Sequence, residues 1–100
     1  MIRHIIMFKL KESAVTPEGK IMAETVKNEF EKLKESISII RHLEVGINVV
    51  SLPHAYDLIL TADFDSVEHF QEYKIHPEHV ACIEFNKKYA VSKASVDYIY

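Results

Sequence analysis

Tyr73, His76 and His79 lie close together in the segment Tyr73-Lys74-Ile75-His76-Pro77-Glu78-His79. Imidazole and phenol side chains suit proton transfer near neutral pH. Histidine titrates there, and a tyrosine hydroxyl can donate a hydrogen bond without ionising. Pro77 is pre-set for a first helical position and biases His76 towards an extended conformation, so a helix is expected to start at Pro77. His79 then falls in the first turn. The positive end of the helix dipole disfavours a further positive charge there, which leaves the neutral imidazole that a general base requires. Tyr73 precedes the break and can orient His79 or polarise a carbonyl group. The competing reading is structural: His79 caps or packs against the helix start, and Tyr73 fills the core. His76 is expected to serve the helix start as an N-cap or turn former.

The His-x-x-His spacing raises a metal site, but two ligands are too few and Glu78 points elsewhere on the helix, so no metal is expected. His4 lies in an apolar strand on the side shared with Ile6 and Phe8. It is either a hydrogen-bonded core histidine or, if the helices leave a gap over the sheet, a second imidazole beside His79. Glu44, Asp57, Asp63 and Asp65 form no readable carboxylate pair. Asp97 is expected to bond across the sheet or a dimer. His42, His54 and His69 read as surface or loop residues. Only two glycines are present, so there is no glycine-rich phosphate loop, and no Gly-x-Ser-x-Gly nucleophile signature occurs. No cofactor is expected.

The elements that position these residues follow from apolar spacing. Ile2 to Leu10 is β-rich. Thr16-Pro17-Glu18 reads as a helix start, with Thr16 as N-cap. Met22, Val26, Phe30, Leu33 and Ile37 then form one helical stripe. Ile39 to Val50 reads as a second strand, with Leu43, Val45, Ile47 and Val49 alternating with polar or small residues. Tyr56 to Phe64 reads as a third strand. Asp65-Ser66 caps a short helix over about Val67 to Lys74, a further helix runs from Pro77 to about Val91, and Ser95 to Ile99 is a last strand. The order β-α-β-β-α-β predicts an α+β, ferredoxin-like fold: a four-stranded antiparallel sheet with helices on one face.

One hundred residues make a single domain spanning 1–100, and 48% apolar residues suit a packed core. A net charge of −3 and scattered lysines argue against a nucleic-acid or membrane-surface partner. The N-terminus shows no signal-peptide cleavage region, and no apolar run reaches the ~18–20 residues that span a bilayer. Cys82 is the only cysteine, which suits a reducing cytoplasm.

The first strand is too apolar on both sides for one side to face water. His4, Ile6, Phe8 and Leu10 form one face, Ile5 and Met7 the other, and Ile59 joins the second face from the third strand. Two helical regions cannot cover both faces of the sheet. A second copy of the chain, packed face to face by two-fold symmetry, is the expected partner and would close a barrel.

Several segments together resemble the stress-responsive A/B barrel family, the Dabb domain. They are Arg3-His4-Ile5-Ile6-Met7-Phe8-Lys9-Leu10, Leu43-Glu44-Val45-Gly46, Tyr56-Asp57-Leu58 with Phe64-Asp65-Ser66, Tyr73 with His76-Pro77 and His79, and Val96-Asp97-Tyr98. The resemblance spans nearly the whole chain and implies a dimeric α/β barrel. It also implies a pocket. In a plant member that closes a linear polyketide by an aldol-type condensation without a cofactor, the position matching His79 is the catalytic base, that matching Tyr73 assists it, and that matching His4 lines the pocket. Phe30 and Leu58 stand where that member has a pocket tyrosine and a pocket histidine, so half of the polar lining is apolar here. Three functions follow as expectations. The first is a dimeric small-molecule-binding barrel without chemistry. The second is a cofactor-independent enzyme acting on a polyketide-like or other carbonyl compound through His79 and Tyr73. The third, by fold analogy alone, is a monooxygenase of the wider dimeric-barrel group.

Overall fold

A computed structural model describes residues 1–100. The chain runs β1 (Ile2–Leu10), α1 (Pro17–Glu31), α2 (Leu33–Ser36), β2 (His42–Ile47), β3 (Leu58–Phe64), α3 (Val67–Ile75), α4 (Pro77–Asn86) and β4 (Ala90–Ile99). The strands form one antiparallel sheet in the order β2-β3-β1-β4, with the helices on one face, as the pattern predicts.

Local chemistry starts each helix where the sequence places it. The Thr16 hydroxyl accepts from the Gly19 amide at 3.1 Å and caps α1. Gly19 itself is required, because a Cβ there would lie 1.7 Å from the Ser13 carbonyl oxygen. Ser66 caps α3 through the His69 amide at 3.1 Å. The helical stripe packs inward as read: Val26, Phe30, Leu33 and Ile37 are buried, and Met22 packs against them. They meet the even-numbered side of β1 and β3, where Phe8, Leu58, Leu60, Ala62 and Phe64 are buried. Cys82 joins this core, and burial pushes its thiol up to about 12, so it is no ready nucleophile.

Asp57 ties the loops at one end of the sheet. Its carboxylate accepts from the Leu10 amide at 2.8 Å and the Ala14 amide at 2.9 Å, and its own amide donates to the Phe8 carbonyl at 2.9 Å. A second carboxylate, Asp63, takes both prongs of Arg3 at 2.8 and 2.9 Å. These bonds to Arg3 hold Asp63 below the usual carboxylate range. The stabilisation is therefore complete above the ordinary Asp range and is lost as pH falls below it, through the lowered value.

Several boundaries differ from the sequence reading. The second strand runs from His42 to Ile47, not from Ile39 to Val50. Beyond it the Asn48 side chain donates to the Val50 carbonyl, and Val49 is 83% exposed. The third strand starts at Leu58 because Tyr56-Asp57 belongs to the loop tie. The last helix ends at Asn86 rather than Val91, and β4 begins at Ala90 rather than Ser95. The Tyr89 amide closes a turn on the Asn86 carbonyl, and the Tyr89 carbonyl then accepts from the Lys11 amide, which draws the chain into the sheet.

The far face of the sheet is uncovered. Ile5 pairs with Val96 and Met7 with both Ala94 and Ile59, so these side chains share that face with Tyr98. Val96 is 56% exposed, Tyr98 41% and Ile59 40%. This is the apolar face that the alternation in β1 and β3 implies.

Candidate functional site

The helices cover β2, β3 and β1 but leave the inner face of β4 open. Register puts Asp97 beside His4, Ser95 beside Ile6 and Lys93 beside Phe8 on that inner face. Between this surface and α3–α4 lies a cleft of about 510 Å³, whose lining includes His4, Phe30, Tyr73, His79, Lys93 and Asp97.

His79 owes its position to the helix start. The His76 ring nitrogen Nδ1 accepts from the Glu78 amide at 3.1 Å, so His76 is the N-cap of α4, as expected. His79 follows at the third helical position, and its Nδ1 lies 3.0 Å from the Lys74 carbonyl oxygen. A carbonyl only accepts, so Nδ1 carries the proton and donates. Nε2 is left with its lone pair. Burial is the main cause that lowers the His79 pKa below its ordinary value, with the charges of His4, His76 and Lys74 adding to it. The neutral ring expected from the helix position is therefore favoured, chiefly through burial.

Replacement of His76 by alanine is expected to cost about 1 kcal/mol of stability, the usual worth of an N-cap, whereas His76→Asn keeps most of it. Thermal denaturation of the two variants checks this.

Tyr73, at the end of α3, is 1% exposed, and its ring lies 4.2 Å centroid to centroid from that of His79. Burial raises its pKa well above the ordinary tyrosine value, so the hydroxyl stays protonated as a hydrogen-bond donor. The same row continues to His4, whose ring centroid is 6.3 Å from Tyr73 and 4.9 Å from Phe70. His4 Nδ1 lies 2.5 Å from Asp97 Oδ1. In the neutral ring Nδ1–H donates to that carboxylate, which fixes the same tautomer as in His79 and leaves Nε2 as the acceptor.

The structure thus brings His4, Tyr73, His79 and Phe30 to one cleft. Leu58 is not among its lining. It pairs with Phe8 and Ile47 at the opposite end of β3 from Ala62, the partner of His4, while Leu60, opposite Ile6, lines the cleft instead. Asp97, expected to bond across the sheet or a dimer, bonds across the sheet to His4. The signal for it was the β1–β4 register, which a sequence does not print. No grouping of three or more His, Cys, Asp or Glu residues suited to a metal ion occurs. No helix is long and apolar enough to cross a membrane.

Comparison with known proteins agrees with this architecture. The sequence model of the stress responsive A/B barrel domain, Dabb, matches residues 2–100. An uncharacterized protein of Streptomyces coelicolor is 29% identical over 90 residues, covering 90% of this chain and 91% of that one. A dimeric protein of unknown function with a ferredoxin-like fold from Bacteroides fragilis is 32% identical, with a TM-score of 0.84 over 99% of this chain and 95% of that one. A dimeric ferredoxin-like protein of unknown function from Thermobifida fusca is 26% identical, with a TM-score of 0.80 over 99% of this chain and 90% of that one. With its ferredoxin-like sheet and a family match from end to end, the chain belongs to the stress responsive A/B barrel (Dabb) domain family.

Proposed function

We propose that the chain works as a homodimeric barrel that binds a small molecule carrying a carbonyl group in the cleft of His4, Tyr73 and His79. The observation that carries this reading is the pair of histidines, each with Nδ1 engaged and Nε2 left as an acceptor, beside one open space of about 510 Å³. That volume suits a small organic ligand. The uncovered apolar face supports the dimer, as do relatives described as dimeric. The single cysteine, buried in the core, fits a reducing compartment, and we place the chain in the cytoplasm on that ground.

A second reading adds chemistry to binding. His79 is the candidate base that takes a proton from the carbon next to the carbonyl, and the Tyr73 hydroxyl is the candidate donor to the enolate oxygen. The neutral state of His79, the un-ionised state of Tyr73 and the contact of their rings favour this reading. His4, held by Asp97, is a second base on the same cleft. Phe30 and Leu60 supply apolar wall in place of further polar groups. The monooxygenase reading rests on fold likeness alone, and no feature of the cleft favours it.

Deuterium exchange at the carbons flanking the carbonyl of decan-2-one tests the chemistry. The native protein is expected to speed exchange, and His79→Ala to lower that acceleration by about 100-fold, the lower end of what a positioned base supplies. Binding without faster exchange would leave a binding barrel and remove the catalytic role.

A further inference from the structure

The loop between β2 and β3 sets apolar side chains in water. Val49 is 83% exposed, Val50 56% and Leu52 50%. Asn48 to Tyr56 holds no formally charged residue, in a chain of which 27% is charged. Single exposed apolar residues are ordinary, but three within four positions, with no charge among them, mark a contact surface. The loop is tied at both ends. The Asn48 side chain donates to the Val50 carbonyl at 2.8 Å, and the Asp57 amide donates to the Phe8 carbonyl at 2.9 Å.

A complementary hollow lies at the start of β4. It is a recess of about 240 Å³ between the last turn of α4 and the first residues of β4, with Phe8, Ile83, Ala90 and Val91 in its lining. Val91 is 61% exposed. The recess continues the histidine cleft, because Phe8, Ile83 and Lys93 line both. β4 is an edge strand of ten residues, and β2 is the other edge of the sheet. An edge of that length presents a row of free backbone groups to a strand of another chain.

Antiparallel pairing throughout the sheet makes β2 and β4 run in opposite directions. A two-fold axis that lies between two facing sheets and along their strands keeps strand direction and exchanges edges. It sets β2 of one copy beside β4 of the other, antiparallel, so that the end of β2 meets the start of β4. Val49 and Val50 follow the end of β2, and the recess lies at the start of β4. The other two-fold arrangement, β2 beside β2, carries the valines towards the start of β2, where the exposed Arg41–Asp65 ion pair offers no apolar seat. We infer that Val49 and Val50 of each copy seat in the recess at the start of β4 of the other copy and close that end of its cleft. The inference rests on the homodimer reading above and names the contact that joins the two sheets.

Cross-linking with a short bis-maleimide tests the contact. A chain carrying both Val49→Cys and Val91→Cys is expected to give a covalent species at twice the chain mass of 11.6 kDa, whereas either single variant stays at the chain mass. Cys82 does not interfere, because it is buried and its thiol is pushed up to about 12. Val49→Ser with Val50→Ser is expected to raise the dimer dissociation constant at least ~100-fold, since two valines in each copy lose their burial. Circular dichroism of that variant is expected to be unchanged, because both positions face water in the single chain. Where the variant is monomeric, its affinity for decan-2-one is expected to fall about tenfold, the worth of one buried valine at the end of the cleft. A native chain that sediments as a dimer while the double-cysteine variant fails to link overturns the contact and leaves the dimer standing. Linking by either single variant alone also overturns it, because like edges then meet. Unchanged ketone affinity in the serine variant overturns the shared wall of the cleft. Absence of ketone binding by a native dimer overturns the carbonyl reading together with that wall. A native chain that sediments as a monomer overturns the contact and the dimer together.

Discussion

Asp57→Ala is expected to lower stability by about 3–5 kcal/mol, because it strands two buried amides at about 1–3 kcal/mol each and opens a gap beneath the loops. The amides of Leu10 and Ala14 have no other partner for these bonds, and Asp57 is 5% exposed, so water cannot replace the carboxylate without opening the loop. Leu10 ends β1 and Ala14 lies in the approach to α1, so a single side chain sets both the end of the central strand and the entry to the longest helix. A loss of this size is a large share of the ~5–15 kcal/mol that holds a typical domain folded. Asp57→Asn retains one acceptor and is expected to lose roughly half as much. Urea unfolding of both variants reads the difference. A midpoint for Asp57→Ala equal to that of the native chain would show that the loops hold without the carboxylate.

Ile5→Asp is expected to convert a dimer into a monomer of 11.6 kDa. Ile5 lies in the middle of the uncovered face, between Val96 on β4 and Thr61 on β3. A two-fold interface there would bury both copies of the new carboxylate opposite apolar surface. Each buried unpaired charge costs about 3–5 kcal/mol, so the dissociation constant is expected to rise by at least ~1000-fold. Within the free monomer the same residue faces water, so the fold is expected to remain, which circular dichroism verifies. Sedimentation velocity separates the outcomes. A native chain that sediments as a monomer would remove the dimer, and an unchanged dimer in the variant would place the interface on another surface.

The parts of the fold legible in the sequence are those with local chemical markers. Thr16-Pro17-Glu18 and Ser66 mark helix starts because capping needs a side-chain acceptor at one position. His76-Pro77 marks the break before α4 in the same way. The end of α4 carries no such marker. Lys87-Lys88-Tyr89-Ala90 contains neither glycine nor proline, and Val91 continues the apolar run, so only the pairing of β4 with β1 decides where the strand begins. Val49 extends the alternation of β2, but the chain there turns to its own side-chain bonds.

The site was half legible for the same reason. Tyr73 and His79 are near neighbours in sequence, on either side of the His76-Pro77 break, so their closeness was one of two readings open to the sequence. His4 and Asp97 meet only through the register of strands at opposite ends of the chain. Leu60 rather than Leu58 lines the cleft because the pairing of β3 places Leu60 nearer His4 along the sheet.

We propose that His4 and His79 present the same unprotonated nitrogen to one ligand-holding cleft. Long-range proton–nitrogen correlation of the histidine rings at pH 7.5, with and without decan-2-one, reads both tautomers and their response to a ligand. Both rings are expected as Nδ1–H tautomers, with His79 titrating below the ordinary histidine value. Both Nε2 signals are expected to move together when the ketone is added. Nε2–H tautomers at either ring, or ring signals that ignore the ketone while it binds elsewhere, would contradict the site described above.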